Sequence, residues 1–176
     1  MLFRSLPTLV RDLESRVFAD HHQGLKLWLR LLSCTTRVES VIRNRLRSEF
    51  GTTLPRFDLL AQLERHAEGL TMSELSRRLM VSGGNVTGIT DQLEGEGLVL
   101  RTAHPSDRRS YAVRLTPAGR RLFKRMAATH EKWIVELLDG WSTEQKNQVH
   151  ALLATLKQHL ATRATTVRPK PKEILR

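Results

Sequence analysis

One cysteine, one tyrosine and an aromatic content of 5% leave this chain of 176 residues little material for several kinds of chemistry. Cys34, being alone, closes no disulfide within the chain, and a reducing cytoplasm is the expected compartment. No apolar run approaches the length of a membrane span, and the segment from Leu29 to Leu32 is already broken by Arg30. The stretch MLFRSLPTLVRDLE has neither a sustained apolar core nor a small-residue cleavage site, so a secretory leader is not expected. The Gly83-Gly84-Asn85 segment fits neither a dinucleotide fingerprint nor a P-loop, and no strand precedes it. No nucleophile, base and orienting group recur together, so the chain does not read as an enzyme. His21, His22, His104 and the other histidines show no ligand spacing with Cys, Asp or Glu; no metal and no cofactor is expected. Acidic charge is also scarce. There are 18 Asp+Glu against 29 Lys+Arg, a net charge of +11, which asks for a polyanionic partner, nucleic acid before an acidic membrane surface.

What is present suffices for a folded domain: 40% hydrophobic residues, 27% charged, and a length that can bury a real core. The positive charge is unevenly spread. Residues 1–51 carry nine basic and five acidic side chains, residues 117–162 seven and four, and residues 163–176 five and one. Residues 52–116 are balanced at eight and eight, yet Arg101, Arg108, Arg109 and Arg114 face only Asp107 in one short stretch. One element thus concentrates positive charge inside a neutral third.

Hydrophobic periodicity predicts a helix over 25–50, with Leu25, Trp28, Leu29, Leu32, Val38, Ile42 and Leu46 on one side and Gly51 as its stop. A second helix follows Thr53, with Pro55 in its first turn and Phe57, Leu60 and Leu63 inward. Thr71-x-x-Glu74 is a capping box that opens a third helix, with Leu75 and Leu79 inward. Ser82 caps a fourth, bearing Val86, Ile89 and Leu93 on its buried face and stopped at Gly97. Residues 98–102 and 111–115 are rich in β formers, and the polar stretch 103–110 between them makes a hairpin with an arginine-bearing tip. Thr116-Pro117 then opens a long helix carrying Leu122, Phe123, Met126, Trp133, Ile134, Leu137 and Leu138. After Gly140, Ser142-x-x-Gln145 starts a last helix with Val149, Leu152, Leu153, Leu156 and Leu160.

Helix, helix, tight turn, helix and basic hairpin is the order of a winged helix-turn-helix. The fold class expected is therefore mostly α with a small β-hairpin wing, flanked by terminal helices. A recognition helix must bury one face on its own domain and offer the other to the major groove. The outward positions of the fourth helix are Gly84, Asn85, Thr87, Gly88 and Asp91. Asn85 suits bidentate pairing with adenine, and Thr87 suits a hydrogen bond or a thymine methyl. Gly83, Gly84 and Gly88 weaken the helix but let backbone approach DNA closely. N–H groups near Ser82 can meet a phosphate, and Arg108 and Arg109 suit a narrow minor groove. Asp107 has no attraction to DNA; its role would be to hold a neighbouring arginine.

Residues 25–162 resemble the MarR family of bacterial transcriptional regulators. The resemblance is carried by Leu75-Ser76-Arg77-Arg78-Leu79, by Val81 to Thr87, by Leu93-Glu94-Gly95-Glu96-Gly97-Leu98-Val99 and, most specifically, by Asp107-Arg108-Arg109-Ser110. That last run fits the family's wing signature, and Leu115-Thr116-Pro117-Ala118-Gly119 follows at the expected distance. The resemblance implies a homodimer built by the terminal helices, two winged domains on a pseudo-palindromic double-stranded operator, and repression relieved by a small ligand such as an aromatic acid or an acyl-CoA. The DNA-contacting set it implies is Ser82, Gly84, Asn85, Thr87, Gly88, Asp107, Arg108, Arg109 and Ser110. The family often has a basic or bulky residue where this chain has Gly88, which shifts base readout toward Asn85, Thr87 and the wing.

The chain then divides into an N-terminal arm (1–24), a linking helix (25–51), the winged domain (52–116), dimerisation helices (117–163) and a basic tail (164–176). Dimerisation has its own warrant, because the apolar stripes of 25–46, 122–138 and 149–160 exceed what a small winged domain needs for its own core. Two-fold pairing would set two recognition helices about 34 Å apart, one turn of DNA. Trp28 and Phe57 read first as packing residues, and second as neighbours of the family's effector cavity. Cys34 reads first as a buried, inert thiol. The alternative is a redox-sensing repressor switched through Cys34, whose disulfide would have to be intermolecular. A sequence-independent architectural DNA binder is the further reading that the basic tail favours.

Overall fold

The computed structural model describes residues 22–104 and 107–166, with the side chains of residues 104, 107–110 and 164–166 outside the description. Its elements are α1 (Gln23–Phe50), α2 (Leu54–Glu64), β1 (Leu70–Thr71), α3 (Met72–Leu79), α4 (Gly83–Gly95), β2 (Val99–His104), β3 (Asp107–Leu115), α5 (Pro117–Leu137) and α6 (Thr143–Thr166). The chain divides into two compact units, one up to Trp133 and one from Ile134 onward. The expected fold class stands: helices dominate, with one small antiparallel sheet.

The first unit holds the core. Phe57, Leu59, Leu60 and Leu63 of α2, Leu75 of α3, Val86 and Leu93 of α4, and Val99, Ala112, Val113 and Leu115 of the sheet are all buried. Ile42 and Leu46 from the end of α1 and Met126 and Trp133 from α5 complete it. The helix boundaries follow local chemistry. Gly51 adopts φ 59, and its N–H donates to the Arg47 carbonyl. In the capping box, Thr71 Oγ1 accepts from the Glu74 N–H at 3.3 Å while the Glu74 carboxylate accepts from the Thr71 N–H at 2.8 Å. That hydrogen bond from the Thr71 backbone holds the Glu74 carboxyl below its ordinary pKa.

Three features differ from the sequence-based expectation. First, the hairpin is longer: β2 runs to His104 and β3 starts at Asp107, so Arg108 and Arg109 belong to a strand backbone and not to a loop. The pairing shifts register between Ala103 and His104. Second, a two-residue strand was not anticipated. Leu70 pairs with Val113 and Thr71 with Ala112, giving the order β1-β3-β2. Third, the buried face of α4 is Val86, Thr90 and Leu93, with Ile89 only half-buried. Thr90 enters the core because its hydroxyl donates to the Val86 carbonyl at 2.8 Å, which satisfies it inside the helix.

The second unit consists of the end of α5, a turn through Gly140, and α6, whose start is capped by Ser142 Oγ accepting from the Gln145 N–H at 3.3 Å. Leu152, Leu153, Leu156 and Leu160 are all exposed. In α1 the N-terminal part of the apolar stripe is likewise uncovered, with Leu25, Trp28 and Leu32 exposed.

Candidate nucleic-acid interface

The turn between α3 and α4 is tightly made. Met80 takes φ 55, Val81 donates its N–H to the Ser76 carbonyl at 3.2 Å, and Ser76 Oγ donates to the Val81 carbonyl at 2.6 Å. Ser82 then caps α4, its Oγ accepting from the Asn85 N–H at 3.4 Å. At the far end Gly97 (φ 69) donates to the Glu94 carbonyl and Leu98 to the Leu93 carbonyl, both at 2.9 Å, which is the Schellman pattern. Thr116 Oγ1 donates to the Gly97 carbonyl at 2.7 Å and accepts from the Gly119 N–H at 3.0 Å, so one hydroxyl ties the end of α4 to the start of α5. Gly119 itself sits against backbone: a Cβ there would lie 1.9 Å from the Leu98 carbonyl oxygen.

Held in this frame, α4 turns Ser82, Gly84, Asn85, Thr87 and Gly88 to solvent on consecutive turns. Of the expected contact set, these five lie together on one element. Thr87 Oγ1 donates back to the Gly83 carbonyl at 3.0 Å, which fixes its rotamer and leaves the oxygen lone pairs and the methyl outward. A Cβ on Gly83, Gly84 or Gly88 would meet nothing within 4 Å. No packing among the described residues requires these glycines. The side chains of Asp107, Arg108, Arg109 and Ser110 lie outside the described residues; their backbone is part of β3.

The other two hairpin arginines are committed inside the domain. Arg114 pairs with Glu68 at 3.2 Å. Arg101 bridges Asp91, at 2.5 Å, and Glu94 of α4. The Asp91 hydrogen bond is the main cause that raises the Arg101 pKa. Arg101 thus does not belong to the free positive charge of the hairpin with which its place in the sequence groups it. The available signal was the absence of any Lys or Arg between Leu79 and Leu100, a stretch with three carboxylates that ends at Arg101.

The remaining candidates are not brought together. Phe57 is only 7% exposed and stacks in a cluster, with ring centroids 5.6 Å from Phe123 and 5.0 Å from His130. Trp133 extends that cluster toward Phe50 and His130. Burial among these rings lowers the His130 pKa. Phe57 is therefore buried in the core of this chain, in keeping with its first reading as a packing residue. Trp28 is 56% exposed on α1. Cys34 corrects its first reading: it is exposed, not buried, within this chain. Among the described residues, no group of three His, Cys, Asp or Glu side chains could hold a metal ion, and no helix is long and apolar enough to cross a membrane.

Comparison with known proteins matches this architecture. The MarR family model covers residues 52–111, from the cap of α2 to the middle of β3. The transcriptional regulator PecS of Dickeya dadantii is 30% identical over 115 residues, 64% of this chain and 69% of its own. A MarR family transcriptional regulator from Silicibacter pomeroyi, solved by crystallography, is 31% identical with a TM-score of 0.69, covering 81% of this chain and 99% of its own. CouR of Rhodococcus jostii RHA1, crystallised with p-coumaroyl-CoA, is 25% identical with a TM-score of 0.65, covering 74% and 90%.

Proposed function

This chain belongs to the MarR family of DNA-binding transcriptional regulators, and on that premise we propose that it is a homodimeric repressor which reads a pseudo-palindromic operator and leaves it when a small ligand binds. The observation that carries the reading is the outward face of α4. Asn85 and Thr87 stand exposed one turn from a capped N-terminus, on a helix whose other face is locked into the core. Asn85 offers a paired donor and acceptor to an adenine edge, Thr87 a hydroxyl and a methyl, and the Ser82–Gly84 backbone a phosphate seat. Arg108 and Arg109 of β3, with Asp107 and Ser110 beside them, are proposed to enter the adjoining minor groove.

Dimerisation is proposed through the terminal helices, residues 25–51 and 117–163, because Leu25, Trp28 and Leu32 of α1 and Leu152, Leu153, Leu156 and Leu160 of α6 are exposed among the described residues. The ligand class proposed is an aromatic acid or its acyl-CoA ester, on the precedent of CouR. Such a ligand releases DNA only to the extent that it binds the dimer better in a geometry with the wrong helix spacing. The protein would act on the cytoplasmic chromosome. A second reading, oxidation of Cys34 to an intermolecular disulfide, gains support from the exposure of that thiol.

Selection of duplexes from a random pool tests the main reading. The wild type should enrich an inverted repeat, Arg109→Ala should bind it more weakly, and Asn85→Ala should change its preferred bases. If both variants bound the selected duplex as the wild type does, the assignment of contacts would be wrong. Oxidant treatment of wild type and Cys34→Ser separates the second reading: equal loss of binding in both, or loss in neither, removes it.

A further inference from the structure

The reading helix carries the wrong charge for its task. From Leu79 to Leu100 there is no lysine or arginine, and there are three carboxylates: Asp91, Glu94 and Glu96. An anionic helix turned toward a polyanion is repelled unless its charges are answered. Each of the three meets an arginine brought from another element. Arg101 of β2 spans Asp91 and Glu94, and its backbone N–H donates to Glu94 Oε1 at 3.1 Å. Arg56, in the first turn of α2, reaches Glu96 just past the end of α4.

The positions of these groups differ in what they mean for DNA. At about 100° per residue, Asp91 lies on the side of α4 turned away from Val86 and Leu93, on the same stripe as Gly84 and Gly88. Its side chain is 58% exposed, whereas that of Arg101 is 26% exposed. Asp91 is therefore the more exposed partner of the pair. An arginine placed for direct phosphate contact would have the reverse arrangement.

We propose that Arg101 is a positioning residue for DNA recognition: by bridging Asp91 and Glu94 it masks the carboxylates of an anionic reading helix and fixes the wing strand β2 to that helix. The inference rests on α4 being the helix that faces DNA. Arg56 does the same for Glu96 at the far end of the helix. Because Arg101 acts through its two partners, its value to DNA binding depends on their being charged. An arginine that touched phosphate would be worth the same with or without them.

A mutant cycle in the full-length chain decides between these. Arg101→Gln, Asp91→Asn with Glu94→Gln, and the triple substitution are each titrated against two labelled probes, a duplex selected with the wild type and a random-sequence duplex of equal length. The stoichiometric end point of each titration gives the active fraction, so that partial unfolding lowers the active fraction and leaves Kd as the measure of binding. With the carboxylates present, Arg101→Gln should weaken binding of both probes by about tenfold or more, and in the amide background by less than about threefold. Equal losses in the two backgrounds, or wild-type binding by Arg101→Gln, overturn the proposal. Should Arg101→Gln fail to fold, the amide pair against the triple variant gives the same decision: a loss under about threefold supports masking and a larger one refutes it. Asn85→Ala keeps the two levels apart. If it changes base preference while the cycle shows no coupling, only the masking idea fails; if it changes neither affinity nor preference, α4 is not the reading helix.

Discussion

Helix α4 hides Val86, Thr90 and Leu93 inside its own domain and turns glycines, Asn85 and Thr87 outward, whereas α6 turns Leu152, Leu153, Leu156 and Leu160 to solvent. Both are amphipathic, but the missing partner differs in kind. The outward face of α4 is polar and bare, so water satisfies it until something with hydrogen-bonding edges replaces that water. The leucines of α6 gain nothing from water and would each be stabilised by burial at about 25 cal/mol per Å² of apolar surface. One surface suits a nucleic acid and the other a second protein surface. That division underlies both the DNA contact and the dimer proposed above.

The sharpest way to break the contrast is on α6. Leu153→Asp with Leu156→Asp alters side chains that are exposed in the single chain, so the fold should survive. The dimer should not, and affinity for a two-half-site duplex should fall by about a thousandfold as the second half-site contact is lost. Light scattering and DNA titration check this together. A monomer that still bound tightly would detach dimerisation from recognition.

Two glycines sharpen the comparison within the first compact unit. Gly119→Ala places a methyl against the Leu98 carbonyl oxygen and should destabilise the fold by about 3 kcal/mol in urea unfolding. Gly88→Ala meets nothing among the described residues, so it should stabilise the free protein by about 1 kcal/mol while weakening DNA binding. Opposite signs for stability and binding at residue 88 would mark a surface shaped for a partner. A gain in both would show that α4 does not come close to DNA there.

The smallest expected effect is on pH. His130 is half-buried against Phe57 and Trp133, and that partial burial lowers its pKa from 6.5. The unfolded chain therefore binds a proton more readily than the native one, and stability should decline as pH falls through and below about 6.5. His130→Phe should flatten that part of the stability profile measured by thermal melting, and an unchanged profile would place the pH response elsewhere.

Much of the frame was legible in the sequence because it rests on local chemistry. Thr71 with Glu74, Ser82, Thr116 with Pro117, and the stops at Gly51 and Gly97 each act within a few residues, and each stands in the structure. What escaped depends on contacts across the chain. The strand Leu70–Thr71 is too short to show a period and exists because β3 offers it an edge. Thr90 replaces Ile89 in the core through a hydroxyl bond that no hydrophobicity pattern reveals. Arg101 looked like free charge until its partners ten and seven residues earlier came within reach. Cys34 lies on the apolar stripe of α1 yet is exposed, because the described residues do not cover that part of the helix.

The measurement that bears most directly on α4 as the reading helix is a side-by-side selection from random DNA with wild type and Asn85→Ala at one salt concentration. Wild type should enrich an inverted repeat, and the variant should lose discrimination, worth about 1–3 kcal/mol, at one symmetric pair of positions while keeping the rest of the motif. Enrichment of no motif by the wild type, or of the same motif with equal preference by both proteins, would contradict it.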